Sequence, residues 1–216
     1  REVIANYFGA APSEVTFTSG GTEADNWIIK SSFQSKLSDK SELITTKIEH
    51  EAVLSSAEWV HENGNMVHFV SSDSNGVVNT HELLSKVNDN TKIVSVIFAN
   101  NEKGVVQPIK NIIEEVKKIN QNILFHSDVV QAVATEKIDF HKYGIDSAAI
   151  SGHKIGAPKG IGVMFLSSKF KLPSYFHGGK QELERRAGTV NVSGVAALAA
   201  AILELEKNIT QEKMKI

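Results

Sequence analysis

Apolar runs rich in β-branched and aromatic residues alternate along this chain with segments of helical period. That alternation limits the fold more than any other feature. The strand candidates are Val15–Thr18, Glu42–Thr46, Met66–Val70, Ile93–Ala99, Ile123–Ser127, Ser147–Ser151 and Gly162–Leu166. Several are apolar almost without a break, as expected of strands covered on both faces. Helical spacing marks Thr22–Gln34, His50–Asn63, Thr80–Val87, Pro108–Ile119 and Val192–Leu205. Pro108 suits a first helical position, and Ile109, Ile112, Ile113, Val116 and Ile119 follow on one face. Val3, Ile4, Tyr7 and Phe8 place a further helix at the start, and the polar tail from Glu206 to Ile216 is expected to fray. Strands alternating with helices predict a layered α/β fold with a mainly parallel sheet.

Composition removes several function classes. The 216 residues fit one large domain or two small ones, with 41% apolar and 22% charged residues and a formal net charge of -2. Near-neutral charge gives no general reason to expect nucleic acid or an anionic membrane as partner. No apolar run approaches the roughly 18 residues a membrane span needs, and Arg1-Glu2-Val3-Ile4-Ala5 is not expected to be a signal peptide. There is no cysteine, which excludes disulfides, thiolate metal sites and a cysteine nucleophile within these residues. It also fits a reducing compartment, so a cytoplasmic setting is expected. The eight histidines show no HExxH or regular ligand spacing, so no metal is expected.

Five segments carry possible chemistry. Thr18-Ser19-Gly20-Gly21-Thr22 runs from a strand through two glycines into a helix, where free N–H groups and the dipole favour a phosphate; it also reads as a helix start capped by Ser19 or Thr22. Ser151-Gly152-His153-Lys154 puts a lysine directly after an apolar strand, a place suited to an imine-forming amine or to an ordinary surface loop. Asp128 closes another strand, pointing into the crevice where α/β folds bind ligands, or capping a helix. Gln131 could reach the same ligand if a helical turn begins there. Asn100-Asn101-Glu102-Lys103-Gly104 offers an amide donor or a turn. His50, at a helix start, could stack on an aromatic ring and move a proton, or be structural.

Each segment alone has an ordinary explanation. Together they supply a phosphate cradle, an amine, a carboxylate and an oxygen donor after successive strands, which are the groups pyridoxal phosphate requires.

The segments TSGGTEADN, EHEAV, NNEKGVVQPI, HSDVVQA, SGHKIGAPKGIG and HGGKQELERRAGTVN occur in this order from Thr18 to Asn191. The chain thereby resembles NifS/IscS-type cysteine desulfurases, fold-type I pyridoxal-phosphate enzymes of class V. The resemblance implies a three-layer αβα sandwich around a mixed, mainly parallel sheet of about seven strands. It implies that Lys154 carries the cofactor covalently and moves the Cα proton, and that His50 stacks on the ring. Asp128 would bond the ring nitrogen, and Asn101 and Gln131 would face the ring oxygen. Gly21, Thr22, Ser151 and His153, with Gly152 between the last two, would bind the phosphate. Thr189 would reach the partner subunit's phosphate in a homodimer. L-cysteine would be the substrate, and an iron–sulfur scaffold or another sulfur acceptor the protein partner.

Family members are about twice as long. Residues 1–216 are therefore expected to be a cofactor-binding large domain, lacking the amino-terminal arm and the small domain that brings the catalytic cysteine and the substrate-binding arginine. Lys103 stands where the family usually has an apolar residue. Two other readings are a different class V enzyme, such as a selenocysteine lyase or aminotransferase, and a non-catalytic domain that dimerises or binds a scaffold.

Overall fold

The computed structural model describes residues 1–34 and 41–213. The strands are β1 (Val15–Thr18), β2 (Glu42–Thr46), β3 (Met66–Val70), β4 (Thr91–Ser95), β5 (Ala99–Asn100), β6 (Val105–Val106), β7 (Leu124–Asp128), β8 (Ser147–Ser151) and β9 (Gly162–Leu166). The helices are α1 (Glu2–Tyr7), α2 (Gly21–Ser32), α3 (Glu51–Glu62), α4 (Thr80–Lys86), α5 (Ile109–Ile119), α6 (Phe140–Tyr143) and α7 (Val192–Lys213).

Seven strands form one sheet in the order β1-β9-β8-β7-β4-β2-β3, and β5 and β6 form a separate two-stranded ribbon. Within the seven-stranded sheet, β9 is antiparallel to both its neighbours and the other pairings are parallel. The remaining six strands therefore point the same way, and every segment that follows one of them emerges at one edge of the sheet.

Alternate strand residues divide the core into two sides. Leu43, Ile93, Leu124, Ala149 and Met164 pack with Trp27, Ile28, Val53 and Ala57 beneath α2 and α3. Ile44, Val94, Phe125, Ala148, Ile150 and Phe165 pack on the other side with residues of α1, α4, α5, α6 and α7. This is the expected three-layer αβα sandwich. The near-continuous apolar runs follow from burial on both faces.

Two local expectations need correction. The run Ile93–Ala99 is not one strand. Beyond β4, Val96 and Phe98 still donate to the His126 and Asp128 carbonyls, at 3.1 and 2.9 Å. The intervening Ile97 N–H instead meets a Glu49 carboxyl oxygen at 2.8 Å, which ends the ladder toward β2. The polar tail after Leu205 does not fray at Glu206, because α7 continues to Lys213. Lys137 pairs with Glu206 at 3.3 Å and Lys207 with Glu204 at 3.5 Å, supporting that extension; residues 214–216 lie outside the described part. Gln131 lies within a helical turn that does not extend into a helix. Residues 129–135 form successive turns, with Ala132 and Val133 both donating to the Val129 carbonyl.

β1 lies at the end of the sheet, and its outer side is covered. Glu182 accepts the Phe17 N–H at 2.9 Å, and Arg1 donates to the Val15 carbonyl while pairing with Glu182 at 2.7 Å. An edge satisfied in this way offers fewer groups to another chain.

Candidate active site

All the sequence candidates but Thr189 lie on β7 or β8 or on segments that leave the six co-directed strands at the same end of the sheet. α2 begins at Gly21, and its N-cap Gly20 supplies no side-chain hydrogen bond. Neither Ser19 nor Thr22 caps the helix, so its first-turn amides are left available to a ligand. A Cβ on Gly21 would lie 2.7 Å from Val130 Cγ2 and 3.7 Å from Ser151 Cβ. The helix start is thus pressed against the segments leaving β7 and β8, a closeness that only glycine permits.

After β8, Gly152–Ile155 forms one tight turn closed by Gly156 at φ 89°. Ser151 Oγ and His153 Nδ1 lie 2.9 Å apart. A Cβ on Gly152 would come within 3.0 Å of the Ile161 carbonyl, so this position too admits little else. Lys154 sits exposed on the turn.

Asp128 is buried at the end of β7, and its Oδ1 accepts the Val130 N–H at 2.9 Å. Burial, and then the nearby Asp25 carboxyl, push its pKa up to about 7. His50 is the N-cap of α3, and its Nδ1 accepts the Ala52 N–H at 3.1 Å. Nε2 therefore carries the proton of the neutral ring. Polar atoms of Asp25, His50 and Asp128 lie within 4.8 Å of one another, with His50 exposed above the two buried carboxyls.

The two asparagines divide their work. Asn100 holds the turn, donating to the Ile48 carbonyl at 2.8 Å and accepting from the Glu102 and Lys103 amides. Asn101 is exposed and, with Lys47, Glu49 and His50, lines a cavity of about 450 Å³. Gln131 is half-buried on the turns after Asp128. Thr189 lies apart from that cavity. It lines a smaller one of about 150 Å³ with Thr18, Ser19 and Arg186, beside the turn into α2. Lys103, the departure from the family pattern, packs its stem on the Gly76 turn, and a Cβ on that glycine would lie 3.1 Å away.

Sequence reasoning gave no role to four residues of this region. Glu49 is buried and joins two loops, accepting from Thr46 Oγ1 and the Ile97 N–H, both at 2.8 Å. Burial raises its carboxyl to about 8. Asp25 and His126 face each other at 3.1 Å, wholly buried beside Asp128. Burial holds Asp25 well above the usual carboxylate range and brings His126 down to about 4. Arg186 pairs with Glu23 in the first turn of α2. Of the four, His126 alone carried a visible signal, a polar ring following the apolar run Ile123-Leu124-Phe125 within a strand, which burial makes costly unless it is paired.

A family model described as "Aminotransferase class-V" matches residues 1–215. The chain belongs to that family. Among curated class-V relatives, it is 39% identical over 216 residues to a protein of Clostridium botulinum named cysteine desulfurase IscS. That match covers 100% of this chain and 54% of the relative. It is 43% identical over 201 residues to the protein of the same name from Methanosarcina thermophila, covering 93% of this chain and 49% of the other. The chain thus spans about half the length of the curated relatives it matches. A solved structure described as a NifS-like protein superposes with a TM-score of 0.94 at 37% identity, covering 97% of this chain and 57% of that one. Another, described as SspA in complex with cysteine, gives 0.89 at 33% identity, covering 97% and 64%. These neighbours share the fold of this class-V chain. Among its described residues, no helix is long and apolar enough to cross a membrane.

Proposed function

We propose that this chain is the pyridoxal-phosphate-binding domain of a cysteine desulfurase. One observation carries the reading. The uncapped start of α2 is packed through Gly21 against Val130 and Ser151, with Asp128 ending the strand beside β8 and Lys154 on the turn after it. An anion, a cationic ring nitrogen and an electrophilic carbon all find partners within that arrangement.

The bound cofactor supplies an electron sink for negative charge developing at an amino acid's Cα. The residues supply the rest. Gly21, Thr22, Ser151, Gly152 and His153 hold the phosphate. Asp128, as an anion, holds the proton on the ring nitrogen. His50 would stack on the ring with Nε2 able to carry a proton, because Nδ1 is engaged by Ala52. Asn101 and Gln131 face the ring oxygen. Lys154 would hold the cofactor and move the Cα proton. Thr189 completes the phosphate site of a second copy in a homodimer.

The names of the relatives favour L-cysteine as substrate. This stretch contains no cysteine, so the thiol that accepts sulfur has to come from elsewhere. The 216 residues alone then bind the cofactor without releasing sulfur. The whole enzyme would pass persulfide sulfur to an iron–sulfur scaffold or another acceptor in the cytoplasm.

Pyridoxal phosphate added to the chain, followed by borohydride reduction and peptide mapping, tests the site. The label is expected on Lys154 and is lost in Lys154→Ala. A label confined to other lysines sinks the assignment. Cysteine-dependent sulfide release by this chain above a protein-free control would overturn the statement that it is inactive alone.

A further inference from the structure

The proposed function uses Asp128 and leaves the pair behind it without a role. Asp25 comes from α2, and His126 precedes Asp128 by two residues on β7, so both β7 side chains share a face. His126 Nε2 lies 3.1 Å from Asp25 Oδ1, and its Nδ1 lies 3.1 Å from Ser147 Oγ. Asp25 places a carboxylate oxygen within 4.8 Å of one from Asp128. Glu49 and His50 are the other titratable groups acting on the two carboxyls.

Two carboxylates this close in a dry site do not both ionise. Their surroundings decide which one keeps the proton. Asp128 receives the Val130 N–H, a donor that favours the anion. Asp25 faces an imidazole, which can accept as readily as it donates. A protonated Asp25 needs an acceptor, and Nε2 is at hydrogen-bond distance. Nδ1 then carries the ring proton and donates to Ser147 Oγ.

We infer that Asp25 is a positioning residue: a neutral carboxylic acid donating to His126 Nε2, with His126 neutral and donating from Nδ1 to Ser147, so that Asp128 is the one anion facing the ligand. The identity of that ligand rests on the proposed function; the proton arrangement does not.

Nitrogen NMR of the ¹⁵N-histidine-labelled, cofactor-free chain reads the arrangement directly. The expected result is a protonated Nδ1 and an unprotonated Nε2 on His126 near neutral pH. A protonated Nε2, or an imidazolium, overturns the inference. Two variants provide a second test. Asp25→Asn keeps a neutral donor, so pyridoxal phosphate binds within about threefold of wild type, whereas Asp25→Leu weakens it by about tenfold or more. The pH midpoint of the bound cofactor's absorbance stays in place in Asp25→Asn, because no charge is removed. A midpoint displaced by about one unit or more shows that Asp25 was charged, and also overturns the inference. So does an Asn variant as weak as the Leu variant when both fold. A wild-type chain that takes up no pyridoxal phosphate refutes the proposed function instead, and the NMR result still decides the proton arrangement.

Discussion

Arg186 grips Glu23 through two hydrogen bonds, Nε to Oε1 at 2.9 Å and Nη2 to Oε2 at 3.1 Å. Oε2 also accepts the Ser19 N–H at 2.8 Å. One ion pair thus fixes the segment after β9 to the first turn of α2. Burial by itself would raise the Glu23 carboxyl, but the bonds from Arg186 and Ser19 more than offset it and hold the pKa below the usual value. A lowered folded-state pKa stabilises above the ordinary carboxylate range and is lost as pH falls through the folded value. Arg186→Ala should therefore cost about 3 kcal/mol at neutral pH. Urea denaturation should show the deficit shrinking as the medium is acidified. A deficit that does not change with pH would mean that the pair's charge is irrelevant.

Gly162 marks the tightest approach in the sheet. A Cβ there would lie 2.5 Å from Gly20 Cα and 2.6 Å from the Ile150 carbonyl oxygen, both backbone atoms. Gly162→Ala should destabilise by about 3 kcal/mol, because neither neighbour can swing aside. In a chain of this size that lowers the melting temperature by about 6–12 °C. An unchanged melting temperature would show that the two strands can separate at little cost.

His50 has a structural task as well as its proposed chemical one. Removing the cap in His50→Ala should cost about 1 kcal/mol. His50→Asn can cap the same amides and should restore thermal stability without restoring the absorbance spectrum of bound pyridoxal phosphate. If both variants melt alike, the Nδ1 contact to Ala52 contributes nothing measurable.

Glu49 sets the opposite pH dependence to Glu23. Its folded-state pKa is raised to about 8 from 4.5 by burial. Such a group stabilises fully below its unfolded pKa, and the contribution declines as pH rises from about 4.5 toward about 8. Glu49→Gln keeps an acceptor for Thr46 and Ile97 but cannot ionise. Denaturation curves at mildly acidic and mildly alkaline pH should show wild type losing more stability than the variant. Parallel losses would rule out a neutral Glu49.

The strands were legible because most carry apolar residues on both faces and the rest are short β-branched and aromatic runs, so that β1, β2, β3, β8 and β9 could be bounded from residue types alone. The common setting of the candidates was legible because six strands share a direction, so the segments that follow them leave the same end of the sheet. Strand direction itself was not legible, since nothing in Gly162–Leu166 marks it as the reversed strand. Nor was the division between Asn100 and Asn101, which depends on where the Ile48 carbonyl falls. The Asp25–His126 contact joins residues about 100 positions apart, and only the stacking of α2 on the sheet creates it. β4 ended early because a Glu49 carboxyl oxygen captured a backbone amide, a competition between side chain and ladder that periodicity does not register.

The pairing of β1 has a consequence for the order of assembly. Val15 meets Phe165, about 150 residues later, and β9 is the sole neighbour of β1 in the described sheet. During synthesis, β1 has no ladder to join until β9, the last strand of the described sheet, has emerged. Contacts so distant in sequence form slowly. The turn into α2, and with it the anion cradle, is therefore made early as sequence but completed late as structure.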